Sequence, residues 1–450
     1  MIVFYRLFFR KTTIFLKKRK IIHQEVNLMQ VIGIVAEYNP FHTGHAYQIA
    51  QARAALGTQS AVVAVMSGNW VQQADCAIAH KWLRARLALM GGADLVLELP
   101  TVWATASAEG FARGAVTLLE QSGVADVLSF GSELGDVSAL DDIALCLDSP
   151  AYQNTVSRLA GQGLPFAQCR QRAVEALLGP QAAAPLSRPN NNLGIEYIRA
   201  LHALGSSIRP MTVLRQGFPH NWVISNKSDK GKSLSDIAPE PMPQFVSATQ
   251  LRLDLMEGNW DRAEPYLVPG GRKLLEENPA GLPDLQRAER AILARLRTMT
   301  AGDWAALPDS GAAEGLPQRL ERAGRQCASL QEFFDLVKVK RFTHARLSRL
   351  VLRAYLGITV EEIPAAPPYL RVLGFNEKGR EVLRMMKQRA RLPILTKPAH
   401  ARQLSPEGRR LFELESRCTD LYDLCFAQVP PPGREWRTDP VIVEEASHEG

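Results

Sequence analysis

The chain has 450 residues, 46% of them hydrophobic and 22% charged, with 32 glycines and 28 prolines. That length and balance predict two or three globular domains and exclude a disordered, collagen-like or low-complexity protein. The net charge of +7 favours a polyanionic partner wherever the excess is concentrated.

Residues 1–28 carry Arg6, Arg10, Lys11, Lys17, Lys18, Arg19 and Lys20 against Glu25 alone. Apolar residues precede the charges there, the reverse of a secretory signal. The segment is expected to be a disordered extension or a start-site artefact, with a targeting or RNA-contacting arm as the rival. No stretch of about 18 apolar residues occurs, so no span and no membrane partner is expected. Cys76, Cys146, Cys169, Cys327, Cys418 and Cys425 form no C-x-x-C pair. They predict reduced thiols, a cytoplasmic setting and no metal site.

From Met29 onward, short apolar runs at Val31–Glu37, Ala61–Met66, Asp94–Glu98 and Asp126–Phe130 alternate with helical patterns at Ala46–Leu56, His80–Leu89 and Ser107–Leu119. Helices over 153–178 and 192–204 and a strand at Met211–Leu214 follow. This rhythm predicts an α/β fold with a Rossmann-like parallel sheet covered by helices. The polar run from Phe218 to Gln244 reads as a mobile loop. Beyond about 280 the periodicity is helical, over Leu285–Thr298, Leu316–Arg322, Ser329–Leu356 and Lys378–Arg389. The expected division is a catalytic domain over 29–270, a mainly α-helical basic domain over 280–425 and a flexible tail over 426–450.

The most specific feature is Asn39-Pro-Phe-His42-Thr-Gly-His45, which leaves the first strand and opens the first helix. An H-x-G-H match is expected about 0.013 times by chance in this composition. Two histidines three apart at a helix N-terminus face the same way, towards its partial positive charge. Backbone N–H groups bind phosphate there, the imidazoles add donors, and Gly44 lets a nucleotide approach closely. Such donors stabilise charge developing during adenylyl or nucleotidyl transfer.

In this context His42-Thr-Gly-His45 resembles the HxGH signature of the nucleotidyltransferase superfamily. More narrowly, residues 29 to about 400 resemble the bacterial tRNA(Met) cytidine acetate ligase family. The matching stretches are Gly33–His45, Val65-Met-Ser-Gly68, Asp94–Pro100, Phe130-Gly-Ser-Glu133, Pro189–Tyr197 and Ser247–Arg252. Where the family has Gln-Arg-Gly after the second strand, this chain has Gln72-Gln73-Ala74. The resemblance implies that ATP, with Mg2+, activates acetate as acetyl-adenylate. The acetyl group then passes to N4 of the wobble cytidine of elongator tRNA(Met), without acetyl-CoA.

Under this reading His42 and His45 are catalytic. ATP lies along Val35, Ala36, Glu37, Tyr38, Asn39, Pro40, Phe41, His42, Thr43, Gly44, His45, Ala46, Tyr47 and Gln48, at the carboxyl edge of the sheet. Asn39 binds phosphate or caps the turn. Gly131 admits the adenine or ribose, or makes a tight turn. Asn190 and Asn191 contact the nucleotide or cap the following helix. Arg215 partners a phosphate or a surface acid. Ser247, Thr249 and Arg252 resemble the ISSTxxR element that holds leaving pyrophosphate in relatives, and also suit a helix start. Lys81, Arg84 and Arg86 read as a solvated helix face, with His80 beside them.

Residues 336–402 hold fifteen Lys/Arg against Glu361, Glu362, Glu377 and Glu381. Lys338, Lys340, Arg341, Arg346, Arg349 and Arg353 are uninterrupted by acid, and the last three share one helical stripe. They are expected to track the phosphate backbone of tRNA, with Phe342 stacking on an unpaired base. The rival readings are a small-molecule cytidylyl- or adenylyltransferase and a non-catalytic RNA-binding protein on the same fold.

Overall fold

A computed structural model describes residues 29–162, 164, 166–215, 245–339 and 341–444. The extension at 1–28 and the loop expected over 218–244 lie outside the described residues.

The first half is built as βα units: β1 (Val31–Ala36), α1 (Thr43–Leu56), β2 (Ala61–Ser67), α2 (Lys81–Met90), β3 (Leu95–Leu99), α3 (Ala108–Ser122), β4 (Val127–Ser132), α4 (Pro189–Leu204) and β5 (Arg209–Leu214). All seven residues of β2 are buried, as expected of a strand covered on both faces. The order across the sheet is β3-β2-β1-β4-β5, all parallel. The order therefore reverses at β1, and the crevice beyond the carboxyl ends of β1 and β4 is the topological switch point of a Rossmann-like sheet. The helical stretch expected over 153–178 is two helices, Pro150–Ala160 and Phe166–Leu178.

The second half begins with α5 (Ala248–Met256) and continues through α6 (Glu289–Thr298), α7 (Leu316–Gln326), α8 (Leu330–Val337) and α9 (His344–Leu356). It then departs from the helical expectation. β6 (Leu370–Phe375) joins the sheet antiparallel to β3, with Leu95 opposite Phe375. After α10 (Glu377–Arg389) and α11 (Pro406–Asp423), β7 (Val441–Ile442) pairs parallel to β6. The two halves thus share one sheet, and the boundary expected between 270 and 280 divides the sequence without dividing the core. Arg371 and Gly374 disguise β6 as irregular. In the structure Arg371 is buried against Glu435, and Gly374 makes room for the backbone at Val441.

The expected flexible tail is likewise corrected. Phe426 and Glu435 are buried, and the chain is packed as far as β7, because Glu435 pairs with Lys81 and Arg371. All six cysteines are buried and unpaired. No helix among the described residues is long and apolar enough to cross a membrane.

Candidate nucleotide-binding site

β1 ends at Ala36, and the chain turns through Tyr38 and a cis Asn39–Pro40 bond into α1. His42 caps the helix. Its Nδ1 accepts the Gly44 N–H at 3.0 Å, and His45 Nδ1 accepts the His42 N–H at 3.2 Å. This is a capping box made of two imidazoles. An accepting Nδ1 carries no proton, so hydrogen-bond assignment places the proton of each neutral ring on Nε2. The rings are neutral. Burial, then the charges of Arg215 and Arg252, push His42 down to about 3. Burial, His42 and Arg215 hold His45 well below its ordinary value. With ring centroids 3.9 Å apart, the pair supplies two neighbouring Nε2–H donors at a helix N-terminus.

Beside them lies a cavity of about 200 Å3. Of the expected ATP contacts, Val35, Ala36, Glu37, Tyr38, Asn39, His42, His45, Gln48, Gly131, Asn190, Arg215, Ser247, Thr249 and Arg252 line it. Gly44 and Tyr47 line a smaller adjoining cavity of about 50 Å3. Arg252 joins α5 to the turn before α1: its Nη1 donates to the Asn39 carbonyl at 2.9 Å and its Nη2 to Thr249 Oγ1 at 3.2 Å. Ser247 Oγ caps α5 by accepting the Gln250 N–H. Asn39 Oδ1 accepts the Ile78 N–H at 2.7 Å, so its side-chain oxygen holds the turn. Asn190 Nδ2 donates to Glu133 Oε1 at 2.7 Å.

Five expected contacts line neither cavity: Pro40, Phe41, Thr43, Ala46 and Asn191. Phe41 is fully buried, filling the space that a side chain at Gly91 would need. Asn191 Oδ1 accepts the N–H groups of Glu133 and Leu134 while Nδ2 donates to the Pro185 carbonyl. Its amide ties β4 to the start of α4. Sequence reasoning missed Gln72, Phe111, Phe130, Leu193 and Tyr197 on the larger cavity, and Val213, Leu214, Phe245 and Val246 on the smaller. Those from Phe111 to Leu214 sit within the predicted strands and helices, whereas Phe245 and Val246 follow the polar run in no predicted element. Gln73, noted only as a departure from the family pattern, also lines the larger cavity.

The start of α2 is not the solvated face expected. Lys81 Nζ lies 2.6 Å from both Glu98 Oε1 and Glu435 Oε2. Arg84 is fully buried and donates to the carbonyls of Glu37, Ser67, Gly68 and Ala79. It braces the outgoing ends of β1 and β2 beneath the site. His80 Nδ1 caps α2 through the Leu83 N–H, and burial, with Arg434 and Arg84, pushes its ring down to about 3. Arg86 is exposed. Among the described residues no group of three His, Cys, Asp or Glu side chains is placed to hold a metal ion.

The basic stripe is also partly internal. Lys340 lies outside the described residues, while Lys338 and Arg341 are exposed. Arg346 donates to the Asp309 carbonyl at 3.0 Å and pairs with Glu314. Arg353 is 3% exposed and reaches the Pro308 carbonyl and the Asp309 carboxylate. Arg349, between them, is half-buried. Phe342 is buried under the Arg346 guanidinium, 5.5 Å from its ring centroid, which removes it as a stacking platform. The acids responsible lie in the 308–314 loop, distant in sequence from the arginines they neutralise.

The family model described as HIGH Nucleotidyl Transferase matches residues 29–434. The chain is 34% identical over 409 residues to the tRNA(Met) cytidine acetate ligase of Thermoanaerobacter sp. (strain X514), spanning 88% of this chain and 96% of that one. It is 36% identical over 406 residues to the tRNA(Met) cytidine acetate ligase of Caldanaerobacter subterraneus subsp. tengcongensis, with the same coverage. The crystal structure of Thermotoga maritima TmcAL bound with alpha-thio ATP matches with a TM-score of 0.82 and 32% identity, over 93% of this chain and all of that one. With the histidine pair in place at the switch point, these likenesses settle the affiliation: the chain belongs to the tRNA(Met) cytidine acetate ligase family of HIGH nucleotidyl transferases.

Proposed function

We propose that this ligase uses ATP to acetylate N4 of the wobble cytidine in elongator tRNA(Met), by way of acetyl-adenylate. A carboxylate oxygen of acetate forms a bond to the α-phosphorus as the bond to pyrophosphate breaks, and pyrophosphate leaves with that electron pair. The cytidine N4 then attacks the acetyl carbon, AMP departs and N4 loses a proton. Acetate is itself the nucleophile in the first step, so no side-chain nucleophile is required.

The observation that carries this reading is the pair of neutral imidazoles, with Nε2–H donors, sharing one cavity with Arg215 and Arg252. Preorganised donors suit charge growing on the α-phosphate and on pyrophosphate. Ser247, Thr249 and Arg252 take the pyrophosphate end, and Gly131 lets the nucleoside approach. Mg2+ enters with ATP, acetyl-CoA has no part, and the reaction takes place in the cytoplasm. The exposed Lys338 and Arg341, with the half-buried Arg346 and Arg349, hold tRNA.

Incubation with ATP, labelled acetate and total tRNA tests the proposal. Label is expected in N4-acetylcytidine only when all three are present. Pyrophosphate release driven by another substrate, with acetate inert, overturns it.

A further inference from the structure

The larger cavity is chemically mixed. Its lining includes the charged and polar His42, His45, Arg215, Arg252 and Glu37, and an apolar set: Phe111 of α3, Phe130 of β4, and Leu193 and Tyr197 of α4. A triphosphate gains nothing from the apolar set, because apolar surroundings penalise its charge. Under the proposed function the nucleoside takes the smaller cavity, which Gly44, Gly131, Tyr47, Val213 and Phe245 help to line. Both cavities share His42 and His45, so the histidines stand where the two meet. The apolar set is left for the other reactant of the first step.

That set is closely packed. The Phe130 and Tyr197 rings lie 5.8 Å apart at 56°. A side-chain carbon at Gly194 would fall 2.6 Å from Phe130 Cε2, so only glycine lets α4 lie this close to the ring. Phe111, Phe130 and Tyr197 are buried and Leu193 is half-buried. Burial, then the nearby Glu37, raise the Tyr197 phenol above its ordinary value.

We propose that Phe111, Phe130, Leu193 and Tyr197 form the acyl pocket, which receives the methyl group of acetate and limits the length of the acid. This rests on the acetate-activating reading above. The carboxylate faces the histidines and the α-phosphate, and the methyl group faces the rings. A longer acid must displace packed side chains, and a single methylene in such a pocket changes selectivity by about 10–200-fold.

The test is a competition. Full-length enzyme, ATP and total tRNA are given equimolar acetate and propionate, and the ratio of N4-propionylcytidine to N4-acetylcytidine is measured. Leu193→Ala, at a half-buried position that tolerates truncation, and Phe111→Leu should each raise that ratio about tenfold or more. Leu193→Met, which conserves volume, should leave it within about twofold of the parent. If the truncations depress both products together and leave the ratio unchanged, the apolar set serves the cytidine and the acyl pocket is overturned. If the unaltered enzyme forms neither product, the acetate reading itself fails, and the pocket with it.

Discussion

The ammonium of Lys81 and the carboxylate of Glu435 meet 2.6 Å apart inside the protein, each side chain only 1% exposed. Glu98 completes the bridge on one side of Lys81, and Arg371 lies 3.4 Å from Glu435 on the other. Thr419 donates to Glu435 as well. Strands β3 and β6 and helices α2 and α11 are therefore tied together by charges with no access to water. Removing one member strands the others, and breaking a buried pair costs about 3–5 kcal/mol. Glu435→Ala is expected to lower the urea midpoint by a corresponding amount with little change in the slope. A variant as stable as the parent would refute the account.

The histidine pair separates capping from chemistry. Asparagine at position 42 retains a side-chain acceptor for the Gly44 N–H and removes the Nε2–H donor. His42→Asn should therefore keep the fold and lower the rate of acetate-dependent pyrophosphate release about 100- to 1,000-fold, the range for one lost preorganised donor. His45→Ala should abolish that release while tRNA affinity stays near the parent value. Loss of tRNA binding in either variant would reassign the pair to RNA contact.

The same pair governs behaviour in acid. Burial lowers His42 from 6.5 to about 3, so the unfolded chain binds this proton more readily than the folded one. The stability due to the neutral ring is complete above about 6.5 and is lost as pH falls towards 3. The stability–pH curve of His42→Asn should be shallower than the parent's across that window by up to one proton. Equal slopes between pH 6.5 and 4 would show that His42 titrates normally.

Exposed and buried members of the basic stripe should separate in binding assays. Lys338→Ala with Arg341→Ala is expected to weaken tRNA binding and reduce the slope of log affinity against log salt by about 1.5. Arg353→Ala removes a buried guanidinium held by Pro308 and Asp309. It should lower stability and leave the salt slope unchanged. A reversal of these two patterns would restore the simpler reading of the stripe as one RNA-facing surface.

Ala74 sits at φ 61°, in the left-handed region, within the hairpin Trp70–Val71/Asp75–Cys76. A β-carbon costs about 1–2 kcal/mol in that conformation. Ala74→Gly should gain about 1 kcal/mol, read as a rise in Tm, after allowance for the greater freedom of glycine in the unfolded chain.

Local patterns exposed much of this protein to sequence reading. The first two strands, and most of the next three, are short apolar runs between turn residues, and the histidine motif stands directly after the first. What escaped depends on distant partners. Lys81 and Arg84 look solvated until Glu98, Glu435 and the carbonyls of β1 and β2 are brought to them. Arg353 looks RNA-facing until Asp309 folds over it. Phe111 and Phe130 differ in no local feature from core aromatics, and only the cavity distinguishes them. Arg371 hides a strand because its charge is neutralised by a residue near the far end of the chain.

The placement of β6 bears on how the protein is made. Synthesis delivers β1 to β5 well before Leu370, and until then β3 is an open edge with one row of backbone groups unpaired. Such an edge recruits strands from other chains. A ribosome that stalls before β6 would thus release a polypeptide with its histidine motif present and an adhesive border exposed. The hazardous interval in its production is the translation of the helices between β5 and β6.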